Sequence, residues 1–303
     1  MPANPSLKLN TGAEMPTVGL GTWKSAPGEV EHAVEHALKI GYKSIDTATA
    51  YANEAEVAKG IKASGVPRES FFLTTKLNNP DMGRPAEALE YSLKQLDTPY
   101  LDLCGFLDYC FGGLMHWPAP MTKDDKADKS IDWLDTWHEM EKLYKAHPDK
   151  LKAIGVSNFS VEYLERLLAN SEVVPAVNQI ELHPSCPQQA VVDFCKSKGI
   201  AVTAYSPLGS DNSPLLKNSV VNKIAEKHNV GPGTILISLQ ANRPNVNVLP
   251  KSVKNSRVTD NLKVIDLAAE EIEELLNISK EATFRACHPK WTGWGNLGFT
   301  EAV

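Results

Sequence analysis

From about residue 18 to near the end of the chain, short apolar runs alternate with stretches whose apolar positions recur every three or four residues. Val30, Val34, Ala37 and Leu38 set such a spacing and predict a helix. Similar helices are expected over roughly residues 54–63 and 86–96, and others beginning near Val161, Gln189, Leu216 and Asn255. Between them, residues 18–21, 44–45, 71–75, 101–103, 153–156, 176–179, 201–205 and 246–249 read as buried strands. A hairpin is expected ahead of the series, with a strand over residues 7–9 turning at Asn10, Thr11 and Gly12. Strands that alternate with helices call for a parallel sheet, because each crossover helix covers one of its faces. Eight strands favour closure into an α/β (β/α)8 TIM barrel, with one domain spanning residues 1–303. The fourth strand is irregular: residues 101–104 and 114–116 each read as half of it, separated by the nine residues 105–113. Either the chain leaves the barrel and returns, so that His116 rejoins it, or the insert displaces His116.

Composition narrows the class. Apolar residues make up 42% of 303, enough for a large core, and the net charge of −6 argues against a nucleic-acid or membrane-surface binder. No apolar run approaches the roughly 20 residues of a membrane span. The first residues carry neither a basic nor an apolar leader segment, so a cytoplasmic protein is expected. Cys104, Cys110, Cys186, Cys195 and Cys287 are odd in number and scattered, with no CxxC pattern, so free thiols are expected rather than disulfides or a metal site.

Barrel enzymes build their sites at the carboxyl ends of the strands. Asp46, Lys76, His116, Asn158, Gln179, Tyr205 and Lys251 all stand there, with Tyr51 just beyond the second strand. Taken singly, an aspartate after a strand is a turn residue and a lysine a solvated charge; seven on one face are harder to dismiss. A carboxylate, a phenol, an ammonium and an imidazole brought together form an acid–base cluster. An ammonium beside Tyr51 would lower the phenol's pKa, and Asp46 would keep Lys76 charged and oriented. No dinucleotide fingerprint follows an early strand: Gly19-Leu20-Gly21 continues into Thr22-Trp23-Lys24.

The order of motifs resembles that of the aldo-keto reductases. The matching segments are Gly19-Leu-Gly-Thr-Trp23, Asp46-Thr-Ala-Thr-Ala-Tyr51-Ala-Asn-Glu54, Thr75-Lys76, His116-Trp-Pro118, Gly155-Val-Ser-Asn-Phe159, Asn178-Gln-Ile-Glu-Leu-His-Pro184, Ala204-Tyr-Ser-Pro-Leu-Gly-Ser210 and Pro250-Lys-Ser-Val253. The aromatic tail from Trp291 to Phe299 is similar to that of fungal members of the glycerol dehydrogenase and aldehyde reductase type, after an extra C-terminal helix. The resemblance implies NADPH-dependent reduction of small aldehydes and ketones by a monomer. It makes Tyr51 the general acid, supported by Lys76 and Asp46, with His116 orienting the carbonyl. It also implies that NADPH/NADP+ is held by Ser157, Asn158, Gln179, Tyr205, Ser206, Leu208, Ser210, Lys251, Ser252, Val253, Arg257 and Asn261, with Asp260 where a glutamate is common. Trp23, Trp117 and Trp291, with Trp294 and Phe299, would wall the substrate pocket. A non-catalytic NADPH sensor is the other reading, should the insert disrupt the site.

Overall fold

The computed structural model describes residues 5–26, 28–103 and 114–299. The hairpin forms as the sequence suggests, with β1 (Ser6–Lys8) antiparallel to β2 (Glu14–Pro16). Two parallel arcs follow. One contains β3 (Leu20–Gly21), β4 (Ser44–Asp46) and β5 (Phe72–Thr74). The other runs in order through β6 (Lys76–Leu77), β7 (Leu114–Met115), β8 (Val156–Ser157), β9 (Val177–Glu181), β10 (Ala201–Tyr205) and β11 (Val246–Leu249).

Both seams between the arcs are bridged. At one, β5 and β6 are a single course of chain broken only at Thr75. At the other, Val248 N donates to Thr17 O at 2.8 Å, Gly19 N to Val248 O at 3.0 Å and Gly21 N to Pro250 O at 3.1 Å. Those bonds close the eight-stranded barrel between its first and last strands. A side chain at position 19 would force its neighbours to shift, since a Cβ there would meet Leu249 Cδ2 and Ser44 Oγ at 2.8 Å.

The helices bury the faces their spacing predicts. In α1 (Glu29–Lys39) these are Val30, Ala33, Val34, Ala37 and Leu38, with acids in the first turn and His36 and Lys39 in the last, matching the helix dipole. α2 (Glu54–Ser64) and α3 (Pro85–Gln95) fall where expected. α4 (Trp133–Ala146) is an additional helix, whereas α5 (Val161–Ala169) and α6 (Gln189–Ser197) begin where expected. The helix expected near Leu216 opens instead as a 3-10 turn, and α7 (Ser219–His228) starts only where Asn218 Oδ1 accepts from Val220 N and Val221 N. α8 (Pro232–Ala241) escaped the periodicity reading for a physical reason. Every residue from Thr234 to Gln240 is buried, so no polar face marks the period. α9 (Asn255–Asn261) and α10 (Ala269–Leu276) lead into the C-terminal tail.

The register of the fourth strand settles part of its irregularity. Thr74 on β5 bridges Leu103, and Lys76 on β6 pairs with Leu114. Two steps along the third strand therefore match eleven along the fourth, which leaves nine residues surplus to the barrel. Residues 105–113 account for them in number, and they lie outside the described residues. Leu114 N donates to Thr75 O at 2.7 Å and His116 N to Leu77 O at 3.1 Å, so the chain re-enters the barrel in register.

Candidate active site

Strand ends deliver the cluster. Asp46 closes β4 and Lys76 opens β6; both side chains are almost wholly buried, and Lys76 Nζ donates to Asp46 Oδ1. The same ammonium donates to Thr47 O at 2.9 Å, while Gln179 Nε2 on β9 donates to Asp46 Oδ2 at 2.9 Å. This buried pair is thus hydrogen-bonded on both carboxylate oxygens, as a charge withdrawn from water requires. Tyr51 sits on a 3-10 turn (Thr49–Tyr51) closed by Ala52 in the left-handed conformation, φ 53°. Its ring centroid lies 5.1 Å from Lys76 Nζ and 6.1 Å from the His116 ring, which meets it edge-on at 76°. His116 is therefore not displaced by the insert.

The electrostatics correct one expectation. Burial, with the Asp46 charge adding to it, raises the Tyr51 phenol well above its ordinary value of 10. The Lys76 charge does not offset that rise, because it is matched by Asp46 and its donors are directed at Asp46 and the Thr47 carbonyl. Tyr51 therefore carries its proton at neutral pH. Burial, then the Lys76 charge, holds the His116 imidazole down at about 3, so it is a neutral hydrogen-bonding group. Within the pair, burial raises Asp46 and lowers Lys76, each opposed by its partner's charge.

Behind Lys76 lies a second acid. Glu54, first residue of α2, is 3% exposed and accepts from Thr75 Oγ1 at 2.5 Å and Ser92 Oγ at 2.9 Å. Its other oxygen is buried without a partner, and burial lifts its pKa to about 7 against hydrogen bonds from Thr75 and Ser92 and the Lys76 charge.

A cavity of about 830 Å³ opens over this cluster, lined by Asp46, Tyr51 and His116 at its floor. Lys76 lies beneath the floor rather than on it. Opposite stand Ser157, Asn158, Gln179 and Tyr205. Asn158, at φ 60°, donates to His116 O at 2.7 Å and accepts from the Tyr205 hydroxyl at 2.8 Å. Its side chain therefore ties the Tyr205 wall to the His116 strand. Ser206, Leu208 and Ser210 line the cavity farther out, Ser206 and Ser210 again with positive φ, and Lys251 and Arg257 lie at the rim. Arg257 makes no hydrogen bond or ion pair among the described residues, a free guanidinium suited to a phosphate. A cleft with neutral amides within and cations at its mouth suits an elongated anionic ligand such as NADPH.

Of the aromatic residues, Trp23, Trp117 and Trp291 line the cavity, with Trp117 and Trp291 meeting edge-on at 6.3 Å. Trp294 and Phe299 do not. Trp294 donates to Pro120 O at 2.8 Å, and Phe299 lies under the Arg285 guanidinium at 4.3 Å. Ser252, Val253 and Asn261 are also absent from the lining. Ser252 Oγ accepts from Lys254 N at 3.2 Å, Val253 packs on the core, and Asn261 is buried at the end of α9. Sequence reasoning missed Asn78, Leu216, Cys287 and His288, and the Lys24–Asp211 ion pair at 3.1 Å between residues 187 apart. These positions share a site only through folding; no local pattern marks them.

Comparison with known proteins agrees with this geometry. The Aldo/keto reductase family profile matches residues 17–280. The chain is 46% identical to a glycerol 2-dehydrogenase (NADP(+)) of Saccharomyces cerevisiae, over 94% of this chain and 95% of that protein. It is 46% identical to a D-galacturonate reductase of Hypocrea jecorina over 91% of each. Among solved structures, a Bombyx mori aldo-keto reductase in complex with NADP superposes with a TM-score of 0.87 at 33% identity, over 99% of this chain and 100% of that one. The chain belongs to the aldo/keto reductase family and is an NADP-dependent oxidoreductase.

Proposed function

We propose that this protein reduces small aldehydes and ketones to alcohols, reversibly, with Tyr51 as the proton donor. The observation that carries the reading is the meeting of the Tyr51 phenol and the His116 ring, 6.1 Å apart by centroid, on a cavity floor underlain by the Lys76–Asp46 pair. NADPH, when bound, supplies the hydride. Tyr205, Asn158, Gln179 and Ser157 would hold its nicotinamide end, the loop of Ser206, Leu208 and Ser210 its pyrophosphate, and Lys251 and Arg257 its 2′-phosphate. Ser252, Val253 and Asn261 lie off the cavity and would act by shaping the segment that carries Lys251 and Arg257.

The chain's own groups then divide the work. His116, neutral, donates to the carbonyl oxygen and orients it beside Tyr51. The phenol delivers its proton as negative charge develops on that oxygen, and the Lys76 charge, 5.1 Å from the ring, stabilises the resulting phenolate. Asp46 keeps Lys76 charged and in place. In the oxidative direction Tyr51 must first lose its proton, so that direction should gain with rising pH.

Trp23, Trp117 and Trp291 offer flat apolar walls, and Asn78 and His288 polar ones. Such a lining suits glyceraldehyde, dihydroxyacetone and sugar-type carbonyls as well as aromatic aldehydes. The glycerol and galacturonate names of the relatives lend support. The reading includes a single-domain monomer in the cytoplasm; no helix among the described residues is long and apolar enough to cross a membrane. NADPH consumption with glyceraldehyde or an aromatic aldehyde tests the activity. Tyr51→Phe should cut kcat by about 10²–10⁴ while NADPH still quenches protein fluorescence. Turnover at the wild-type rate by that variant would overturn the assignment.

A further inference from the structure

The cavity has a wall that the barrel does not supply: Ala286, Cys287, His288 and Trp291 belong to the C-terminal tail. What holds that wall is one carboxylate. Glu181, last residue of β9, is fully buried, and its Oε1 accepts from Ala286 N at 2.7 Å while Oε2 accepts from Cys287 N at 2.8 Å. His183 Nε2 lies 2.8 Å from Oε1, and the His183 ring stacks on Phe284 at 4.6 Å. Phe284 N donates to Ser185 O at 3.2 Å, so three tail amides within four residues are bound to the end of β9 and the segment just after it.

We infer that Glu181 is a positioning residue for substrate specificity, latching the tail so that its residues form the outer wall of the substrate pocket. The choice of residue follows from the donors it meets. Two backbone N–H groups converge with the His183 ring on one buried side chain, and only an ionised carboxylate offers acceptors alone. Burial works to raise the Glu181 pKa, but the bonds from His183, Ala286 and Cys287 outweigh it and hold the group below the usual carboxylate range. A glutamine here would turn its NH2 toward either Ala286 N–H or Cys287 N–H, donor against donor, in both rotamers. The latch acts on the wall and bonds directly to neither the Tyr51 cluster nor the Lys251–Arg257 rim, reaching inward only where Cys287 meets Tyr205. It therefore distinguishes large carbonyl compounds, which reach the wall, from two-carbon ones, which do not.

The inference rests on the carbonyl-reductase reading for its kinetic part only. Glu181→Gln should raise KM for an aromatic aldehyde about tenfold, leaving kcat, the KM for glycolaldehyde and NADPH affinity near wild type. Amide hydrogen exchange across residues 284–291 should quicken about tenfold, a readout that needs no turnover. Ala286→Pro removes one latched N–H from the tail side and keeps the test alive should Glu181→Gln fold poorly; it should shift the same ratio. Unchanged exchange and an unchanged ratio of aromatic to two-carbon turnover in a folded variant would overturn the latch. An equal fall for both aldehydes and for NADPH binding would also overturn it, as a merely structural role. A wild-type protein that reduces neither aldehyde would refute the proposed function, with the exchange measurement still deciding the latch.

Discussion

Glu54 offers a test in which the sign of the effect is as informative as its size. Its carboxyl is 3% exposed, has one oxygen without a partner, and carries a pKa raised by burial from 4.5 to about 7. Between those two values the folded protein holds the proton that the unfolded chain has released. Stability therefore falls as pH rises through that window and levels off above it. At 1.36 kcal/mol per pH unit, the 2.5-unit difference corresponds to about 3 kcal/mol. Glu54→Gln abolishes this dependence, since an amide does not titrate. The variant keeps an acceptor for Thr75 and Ser92 but buries an unpartnered NH2 where the second oxygen stood, costing about 1–3 kcal/mol at every pH. The substitution should therefore destabilise the protein near pH 5 and become neutral or stabilising by pH 8.5. With an unfolding entropy of about 2.1 cal/mol/K per residue, about 3 kcal/mol moves Tm of a chain this long by about 5 °C. Scanning calorimetry of both proteins from pH 5 to 8.5 measures the difference, in which titrations not coupled to Glu54 cancel. A Tm difference that stays constant across that range would refute the claim that Glu54 ionises near 7 in the folded state.

Three further outcomes are expected. Asp46→Asn strands the buried Lys76 ammonium and should cost about 3–5 kcal/mol in denaturant titrations, with part of the loss restored in the Asp46→Asn/Lys76→Met double variant; additive losses would count against a shared pair. Arg257→Ala should weaken NADPH about 10- to 100-fold in fluorescence titrations and leave NADH affinity unchanged, whereas equal losses for both would place the phosphate elsewhere. Deletion of residues 105–113 should keep Leu103 and Leu114 paired to the third strand, and so retain activity with an equal or higher Tm; loss of activity would give the insert a part in the site.

Much of this protein can be read from its sequence, because the relevant signals are local. The βα alternation, the burial of Val30, Val34, Ala37 and Leu38, and the boundaries of β10 and β11 all follow from residues close together in the chain. Asp46, Tyr51, Lys76 and His116 were identifiable because a barrel fixes where strand ends point. The failures have physical causes as well. α8 is buried on all sides and carries no period, and Trp294 and Phe299 have the composition of a pocket wall but pack against Pro120 and Arg285 instead.

Residue types and their order were thus enough to specify the barrel and the members of the acid–base cluster, since backbone periodicity and the direction of parallel strands are short-range properties. Protonation states were decided only by the tertiary structure. Whether Lys76 lowers the Tyr51 pKa depends on how deeply the phenol is buried and on where the ammonium is already committed, and both are set by elements far apart in sequence. The same holds for the wall at Ala286 and Cys287, which faces the cavity because a carboxylate 105 and 106 residues earlier accepts its amides. Solvent exclusion and distance govern charge, and neither exists until the chain has folded.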